Sequence, residues 1–251
     1  MAVSHTLIVV EGPHDVEFVG RFLAMERLKR VQWEKSLDPF WQILIPPTLP
    51  HGGDLLKRVP VPAFFESVTQ SVAVHSAGGD TNIRLQLEAD LAALAPRLLD
   101  GIGVVLDADL ETAALDRHRD LVASITGLQW PDTPGSVGAT IPKCGVFVLP
   151  DNASPGNLET VLLKCAEVVY PDLLHGAEQF TQAAKATADC KHLASPSEHN
   201  KAVAGCIANA LRPGRAMQTS IHDNDWVSYR TIDLPTISGF RAFLRSLIGF
   251  D

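Results

Sequence analysis

The stretch LIVVEGPHDVEFV, residues 7–19, joins an apolar β-branched run to an acidic turn and then to a helical pattern. Gly12 permits a sharp turn, and Pro13 suits the first turn of a helix because its missing N–H would be unpaired there anyway. Beyond the turn, apolar residues recur at helical spacing up to Leu28. The stretch therefore predicts a buried strand at residues 6–10 that enters a helix through a tight loop.

The same alternation of strand and helix recurs further along the chain. Apolar runs predict strands at residues 71–75, 101–106 and 145–149, and periodic patterns predict helices at 82–94, 111–126 and 158–169. Strands that alternate with helices favour a parallel sheet covered on both faces, and continuously apolar strands suit such burial. We therefore expect an α/β fold with a Rossmann-like parallel sheet flanked by helices.

Two parts of the chain depart from this alternation. Residues 31–70 are rich in proline, glycine and tryptophan and read as an insertion, with a short strand at 41–45 and an extended segment at 59–62. The last third is mostly helical, with helices predicted at 176–188, 196–211 and 238–248 and a polar loop at 222–225. We divide the chain into an α/β domain, 1–170, and a C-terminal helical extension, 171–251.

Composition limits the classes of protein that this chain can represent. Of its 251 residues 46% are hydrophobic and 20% charged, as in an ordinary globular protein. The net charge of -8 argues against a broad basic surface for nucleic acid, but it is compatible with a site where metal ions carry the positive charge. The four cysteines form no CxxC pair, and no apolar run approaches the ~20 residues of a membrane helix. A cytoplasmic protein without a membrane partner is expected.

Acidic residues follow three of the predicted strands. Glu11 follows the first, Asp107 and Asp109 follow the third, and Asp151 follows the fourth. Ligands of open parallel sheets bind at the carboxyl ends of the strands, and clustered carboxylates repel one another unless a cation neutralises them. Mg²⁺ prefers oxygen ligands, so the pattern indicates a Mg²⁺ or Mn²⁺ site for phosphoester chemistry. The alternative is that these acids only cap helices or face solvent.

Three segments together resemble the TOPRIM family. LIVVEGPHDVEFV, residues 7–19, resembles the first TOPRIM motif, in which an apolar strand is followed by Glu-Gly and then by an Asp that precedes a helix. GIGVVLDAD, residues 101–109, resembles the second, in which a strand ends in Asp-x-Asp. FVLPDNASPGNLETVLL, residues 147–163, is similar to a Leu-Glu region of TOPRIM proteins related to OLD-family nucleases. The resemblance covers residues 5–170 and implies a TOPRIM-like Rossmannoid sheet.

The resemblance also implies an activity and a set of site residues. TOPRIM domains of topoisomerases, primases and OLD-type nucleases use acidic residues to hold Mg²⁺ for phosphodiester chemistry on nucleic acid. By that likeness Glu11 is a metal ligand or a general acid/base, and Asp107 and Asp109 hold the metal. Glu159, with Asp151, completes a second metal site, and two cations about 4 Å apart stabilise the attacking and leaving oxygens. A Mg²⁺-dependent nuclease in contact with nucleic acid is the expectation.

The chain also departs from the family pattern. The insertion lengthens the spacing between Glu11 and Asp107, the sequence carries no ATPase, zinc-finger or helicase module, and its acidic balance offers little general attraction for phosphate. Basic residues that could neutralise phosphate, or could simply be solvated, are Lys143 and Lys164 near the site and Lys185, Lys191, Lys201, Arg212 and Arg215 in the C-terminal extension.

Three other interpretations remain open at this point. A non-catalytic TOPRIM-like module, working in a complex with a protein partner or as a homodimer, would present an apolar patch around Trp33 and Trp41. A haloacid-dehalogenase-like phosphatase would use Asp107 as nucleophile and Asp109 as acid/base, with late metal ligands from Asp223 and Asp225. A zinc site is a weaker interpretation because its spacing is unusual; its ligands would be Cys190, His192, His199 and Cys206.

Overall fold

A computed structural model describes residues 3–46, 61–95, 98–109 and 112–250. Its centre is one six-stranded sheet with the order β2-β3-β4-β1-β5-β6. The strands are β1 (Ser4–Val10), β2 (Lys29–Arg30), β3 (Ala63–Glu66), β4 (Gln70–Ser76), β5 (Gly101–Asp107) and β6 (Lys143–Leu149). The four strands β4, β1, β5 and β6 are parallel, whereas β3 runs antiparallel to its neighbours β2 and β4. The predicted α/β fold with a mostly parallel sheet is confirmed.

Helices cover both faces of this sheet. They are α1 (Pro13–Met25), α2 (Ile83–Leu94), α3 (Ala114–Ser124), α4 (Leu158–Val169), α5 (Pro171–Lys185), α6 (Pro196–Leu211), α7 (Met217–Asp223) and α8 (Pro235–Ile248). The predicted bounds of α4 and α6 agree with the structure, and those of the other predicted helices differ by a few residues. No helix in the described ranges is both long and apolar enough to cross a membrane.

Two hydrophobic cores lie on opposite faces of the sheet. Successive residues of a strand point to opposite sides, and in β1 Ile8 and Val10 join one core while Leu7 and Val9 join the other. The first core is shared with α1, α4, α6 and α8, and the second with α2 and α3. Because residues 7–10 of β1 are buried on both faces of the sheet, they form an unbroken apolar run rather than an alternating one.

The last helix lies directly on the centre of the sheet. α8 packs against β1, β5 and β6. Glycines make this close approach possible, because a Cβ at Gly101 would lie 2.9 Å from the carbonyl oxygen of Leu247, and one at Gly145 would lie 2.8 Å from a ring carbon of Phe243. The predicted domain boundary at residue 170 falls between α4 and α5. α8 follows this boundary in the sequence, but it packs into the core of the predicted α/β domain.

The region predicted as an insertion, 31–70, is partly built into the sheet. The strand predicted at 41–45 is wrong, because Pro39–Leu44 forms short 3₁₀ turns. The side chain of Asp38 accepts the Phe40 N–H at 2.8 Å at their start, and Trp41 is fully buried. β3 was not predicted; of the segment expected to be extended at 59–62, residues 59 and 60 lie outside the described residues.

The prediction of a polar loop at 222–225 is also wrong for its first two residues. α7 extends through Asp223, so only the last two residues of that segment follow the helix. Arg21 of α1 holds this end of α7, because its guanidinium donates to the carbonyl oxygens of His222 at 2.8 Å and Val227 at 2.9 Å. These tertiary contacts complete a helix that is too short to give a clear periodic signal.

Candidate functional site

Two carboxylates meet at the carboxyl edge of the parallel strands. Glu11 directly follows β1, and Asp107 is the last residue of the adjacent strand β5. The backbone N–H of Asp107 donates to Glu11 Oε1 at 2.8 Å, although the two residues lie 96 positions apart. The predicted convergence of these two acids is therefore present, and neighbouring parallel strands produce it because their carboxyl ends share one edge.

The first turns of two helices bring further carboxylates to the same place. Asp15 lies in the first turn of α1, where its Oδ2 accepts the Gly12 N–H at 2.8 Å. Glu159 lies in the first turn of α4, and Asp107 Oδ1 accepts the adjacent Leu158 N–H at 3.0 Å. Helix N-termini carry a partial positive charge that favours acids there. Glu11, Asp15, Asp107 and Glu159 all line one cavity of about 340 Å³, which we call the carboxylate cavity.

Burial and nearby negative charges raise the pKa of three of these carboxyls. Burial raises the pKa of Glu11 to about 7; Asp80 adds to this, while the Asp107 N–H and Arg117 oppose it. Burial, followed by the charges of Glu11 and Glu159, raises the pKa of Asp15 to about 7. The pKa of Asp107 is raised well above its ordinary value by burial and then by its three acidic neighbours. Near neutral pH the carboxylate cavity is therefore a place where protons and cations compete for the same oxygens.

Asp109 lies at the margin of the site rather than inside it. Its side chain is 62% exposed and stands 3.9 Å from Arg117, and it is not among the residues that line the carboxylate cavity. Its backbone has a φ of 62°, in the left-handed region, and its carbonyl oxygen accepts the Gly156 N–H at 3.0 Å. The chain turns sharply here, so Asp109 does not join Asp107 in the cavity as its predicted role in holding the metal would require.

Asp151 serves its own loop. Its carboxylate accepts hydrogen bonds from the backbone N–H groups of Ala153 and Ser154, at 3.1 and 2.6 Å, and from the Ser154 hydroxyl. Partial burial acts to raise the pKa of Asp151, but these hydrogen bonds outweigh burial and hold it below its ordinary value. The structure does not bring Asp151 to the carboxylate cavity, so its predicted role as a ligand beside Glu159 has no geometric basis.

Of the basic residues that the sequence suggested, Lys201 lines the carboxylate cavity, whereas Lys143 and Lys164 do not. Lys143 begins β6 at the opposite edge of the sheet, where its Nζ donates to the Ser246 carbonyl at 3.3 Å. Lys164 pairs with Glu167 on the surface of α4. Lys201 of α6, expected only as one of several cations of the C-terminal extension, lines the carboxylate cavity. Its pKa is raised, first by its hydrogen bond to Glu198 and then, against the effect of burial, by the charges of Glu198, Glu159 and Asp107.

Arg117 of α3 connects several acids at the mouth of the site and was missed by sequence reasoning. Its two terminal nitrogens donate to the Asp80 carboxylate at 2.6 and 3.1 Å, and its Nε donates to the Asp107 carbonyl at 3.1 Å. The guanidinium also stands 3.6 Å from Glu11. The available signal was its place on the helix that follows Asp-Ala-Asp, but arginines on helices are common and usually solvated.

The donor set suits a hard cation, although no ligand cage is preassembled. Within residues 3–46, 61–95, 98–109 and 112–250, no three His, Cys, Asp or Glu side chains are placed to hold one ion together, and the predicted zinc set is no exception. In Glu11 and Asp107 a backbone N–H already occupies one carboxylate oxygen. Mg²⁺ commonly uses only one or two carboxylates, with waters and substrate phosphates as its other ligands, and the buried carboxylates fit that mode.

The residues required by the alternative interpretations lie elsewhere. Asp223 pairs with Arg212 at 3.2 Å and with His222 at 2.7 Å, and the Asp225 N–H donates to the Tyr170 hydroxyl at 2.6 Å. Neither aspartate lines the carboxylate cavity, as a phosphatase would require. Of the apolar patch expected for a protein partner, Trp33 is exposed, whereas Trp41 is a core residue whose Nε1 donates to Ser71 Oγ at 2.8 Å.

Comparisons with known proteins identify a family and a similar fold. The family model described as "Protein of unknown function (DUF3226)" matches residues 5–249. No curated protein matches the chain. The crystal structure of the hypothetical protein PH0156 from Pyrococcus horikoshii OT3 is similar, with a TM-score of 0.55 and 15% sequence identity over 98% of this chain and 95% of that one. At that identity the likeness concerns the fold alone.

Proposed function

The chain belongs to the DUF3226 family, whose description assigns no activity, and we propose from the site itself that it carries out divalent-cation-dependent phosphodiester chemistry on nucleic acid. The observation that carries the proposal is the convergence of Glu11, Asp15, Asp107 and Glu159 on one cavity at the carboxyl edge of the sheet. Burial of several carboxylates together is costly unless a cation neutralises them. The TOPRIM-like order of the acids along the chain supports the same chemistry.

The proposed roles follow from where each residue lies. Asp107 and Glu11 would hold the cation, which when bound would polarise a phosphoryl oxygen and lower the pKa of bound water. Glu159 and Asp15, in the first turns of their helices, would complete a second cation position. Lys201, which also lines the cavity, would neutralise charge on the substrate phosphate. Arg117 keeps the end of β5 in place through its hydrogen bond to the Asp107 carbonyl.

The decisive test is the substitution Asp107→Asn in an assay with labelled single- and double-stranded DNA and RNA, with Mg²⁺ or Mn²⁺. Asparagine retains an oxygen that can accept the Leu158 N–H, so the fold should persist while the negative charge is lost. Removal of one ligand charge is expected to lower the cleavage rate by at least about 100-fold.

Asp116→Asn is the matched control, because Asp116 is an exposed acid of α3 that pairs only with Arg119 among the described residues. It should cleave like the unmodified chain. Metal-dependent cleavage that survives Asp107→Asn would contradict the proposed site. Tight binding of Mn²⁺ without cleavage of any of the four substrates would contradict the enzymatic role and favour the non-catalytic binding module.

A further inference from the structure

A second cavity, of about 450 Å³, opens beside α1 and contains two guanidinium groups. Arg30 comes from β2 and Arg215 from the turn that precedes α7, while Glu17, Gln218 and Thr219 supply other polar groups. We call it the arginine cavity. Its arginines stand out in a chain whose net charge is -8. Two guanidiniums against one carboxylate leave an excess of positive charge.

Arg30 is held rigidly within this cavity. Its Nη1 donates to both carboxylate oxygens of Glu17, at 2.7 and 2.8 Å, and its guanidinium lies over the Phe65 ring at 5.7 Å. Its Nε is buried and has no hydrogen-bond partner in the part of the chain that the structure describes. That Nε is out of reach of a ligand, but the side chain is 26% exposed, and a guanidinium fixed in this way binds an oxyanion with little further loss of side-chain entropy.

Arg215 carries the positive charge in this cavity that no carboxylate of the described residues neutralises. It is exposed, and none of the ion pairs among the described residues involves it. Its backbone is nevertheless ordered by a turn, in which its own N–H donates to the Arg212 carbonyl at 3.1 Å and the Gly214 N–H donates to Asn209 Oδ1 at 3.0 Å. The other basic group on this wall, His222, already bonds to Asp223 at 2.7 Å.

Both cavities are lined by residues of α1. His14 lines the carboxylate cavity and Glu17 lines the arginine cavity. Residues three apart on a helix are surface neighbours, with Cβ atoms about 5–6 Å apart. One extended ligand that follows the first two turns of α1 can therefore reach both cavities.

We propose that the arginine cavity binds a phosphate group of the nucleic-acid strand whose neighbouring phosphodiester lies in the carboxylate cavity. The inference rests on the proposed function and adds a substrate-binding subsite to it. The planar fork of arginine matches the oxygens of a phosphate, and the Gln218 amide and Thr219 hydroxyl provide neutral donors beside it. A volume of about 450 Å³ has room for a nucleotide unit as well as its phosphate.

The test measures binding without metal, so that it does not depend on cleavage. The affinity of a fluorescent single-stranded oligonucleotide is measured by anisotropy in EDTA at low ionic strength, for the unmodified chain, Arg215→Gln and the control Arg84→Gln. Arg84 is an exposed arginine of α2, on the other face of the sheet, that pairs with Glu88. We expect Arg215→Gln to weaken binding about tenfold and to reduce the slope of log affinity against log salt by about 1. Arg84→Gln should change neither.

Competition with Ca²⁺ present, so that a cation can neutralise the carboxylate cavity, identifies the source of the phosphate. A longer oligonucleotide should displace the probe from the unmodified chain far better than a nucleoside monophosphate or inorganic phosphate, because only a strand reaches both cavities. Equal displacement by the monophosphate would overturn the strand-binding role, as would absence of probe binding or an equal effect of Arg215→Gln and Arg84→Gln. If Arg215→Gln weakens binding but no metal supports cleavage, the subsite stands and the proposed activity fails.

Discussion

Glu11 shows at the scale of a residue how a buried charge lowers stability. Its pKa is 4.5 in an ordinary setting and about 7 in the folded protein, so folding favours its protonated form. Protonation of Glu11 therefore stabilises the fold fully below pH 4.5, and this stabilisation is lost as the pH rises through about 7. Above pH 7 the chain must keep a buried carboxylate charged beside Asp15 and Asp107, both of which carry raised pKa values of their own.

The substitution Glu11→Gln should therefore stabilise the metal-free protein at pH 8. Glutamine keeps an oxygen for the Asp107 N–H and removes the buried charge, so we expect the free energy of unfolding to rise by about 1–3 kcal/mol. At pH 4 the gain should nearly vanish, because Glu11 is then neutral. Urea denaturation in EDTA at both pH values measures the difference.

Glu88→Gln provides the control for this experiment. Glu88 is an exposed acid of α2 in a surface pair with Arg84, so its removal should change stability by only a few tenths of a kcal/mol at either pH. A Glu11→Gln variant that is less stable at pH 8 would mean that the carboxylate is satisfied by the fold alone and needs no cation.

At the scale of secondary-structure elements, strands buried on both faces were the most predictable parts of the chain. β1, β4, β5 and β6 were recognised because burial on two sides demands unbroken apolar runs. β3 was not recognised, because its four residues, AFFE, follow a proline-rich segment and their pairing with β4 depends on tertiary contacts. Residues 41–45 were mistaken for a strand because Trp41 is buried against the core from a 3₁₀ turn.

The contact between α8 and the sheet also depends on element-scale geometry. Gly101→Ala should destabilise the fold by about 1–3 kcal/mol, since its methyl group would meet the backbone carbonyl of Leu247, which cannot move without shifting α8. Gly239→Ala, on the exposed side of α8 with open space around it, should instead stabilise by about 0.5–1 kcal/mol through helix propensity. Thermal unfolding of both variants checks the pair; equal effects would contradict the close packing of α8.

At the scale of the whole molecule, the sequence predicted Glu11 and Asp107 from the sheet and Glu159 from the family resemblance, but not how the other residues of the site come together. Glu11 and Asp107 could be paired from the sequence because parallel strands end at a common edge. Asp15 and Glu159 reach the same cavity from helix starts, and Arg117 and Lys201 reach the site from helices whose positions depend on how the two faces pack. The local sequence does not reveal that packing. From the sequence, Lys143 and Asp151 were therefore as plausible at the site as the residues that lie there.

The C-terminal helices complete the core that supports this site, so residues 1–170 alone should not form a native fold. Phe240, Phe243, Leu244, Leu247 and Ile248 of α8 all belong to the core that also contains Phe18 and Phe147. Burial of one such side chain contributes about 1.5–3 kcal/mol, so loss of α8 removes on the order of 10 kcal/mol, comparable with the whole stability of a domain. Near-ultraviolet circular dichroism and dye binding should show the shorter chain to be without fixed tertiary packing.

A single substitution tests the same dependence without truncation. Phe240 is fully buried and its ring lies about 5 Å from those of Phe18, Phe22 and Phe147. Phe240→Ala should cost about 3–5 kcal/mol, whereas Phe180→Ala, at a side chain that is 66% exposed on α5, should cost far less. The prediction for the shorter chain is contradicted if residues 1–170 unfold cooperatively from a native-like state. The sheet and its carboxylate cavity would then be stable without α8.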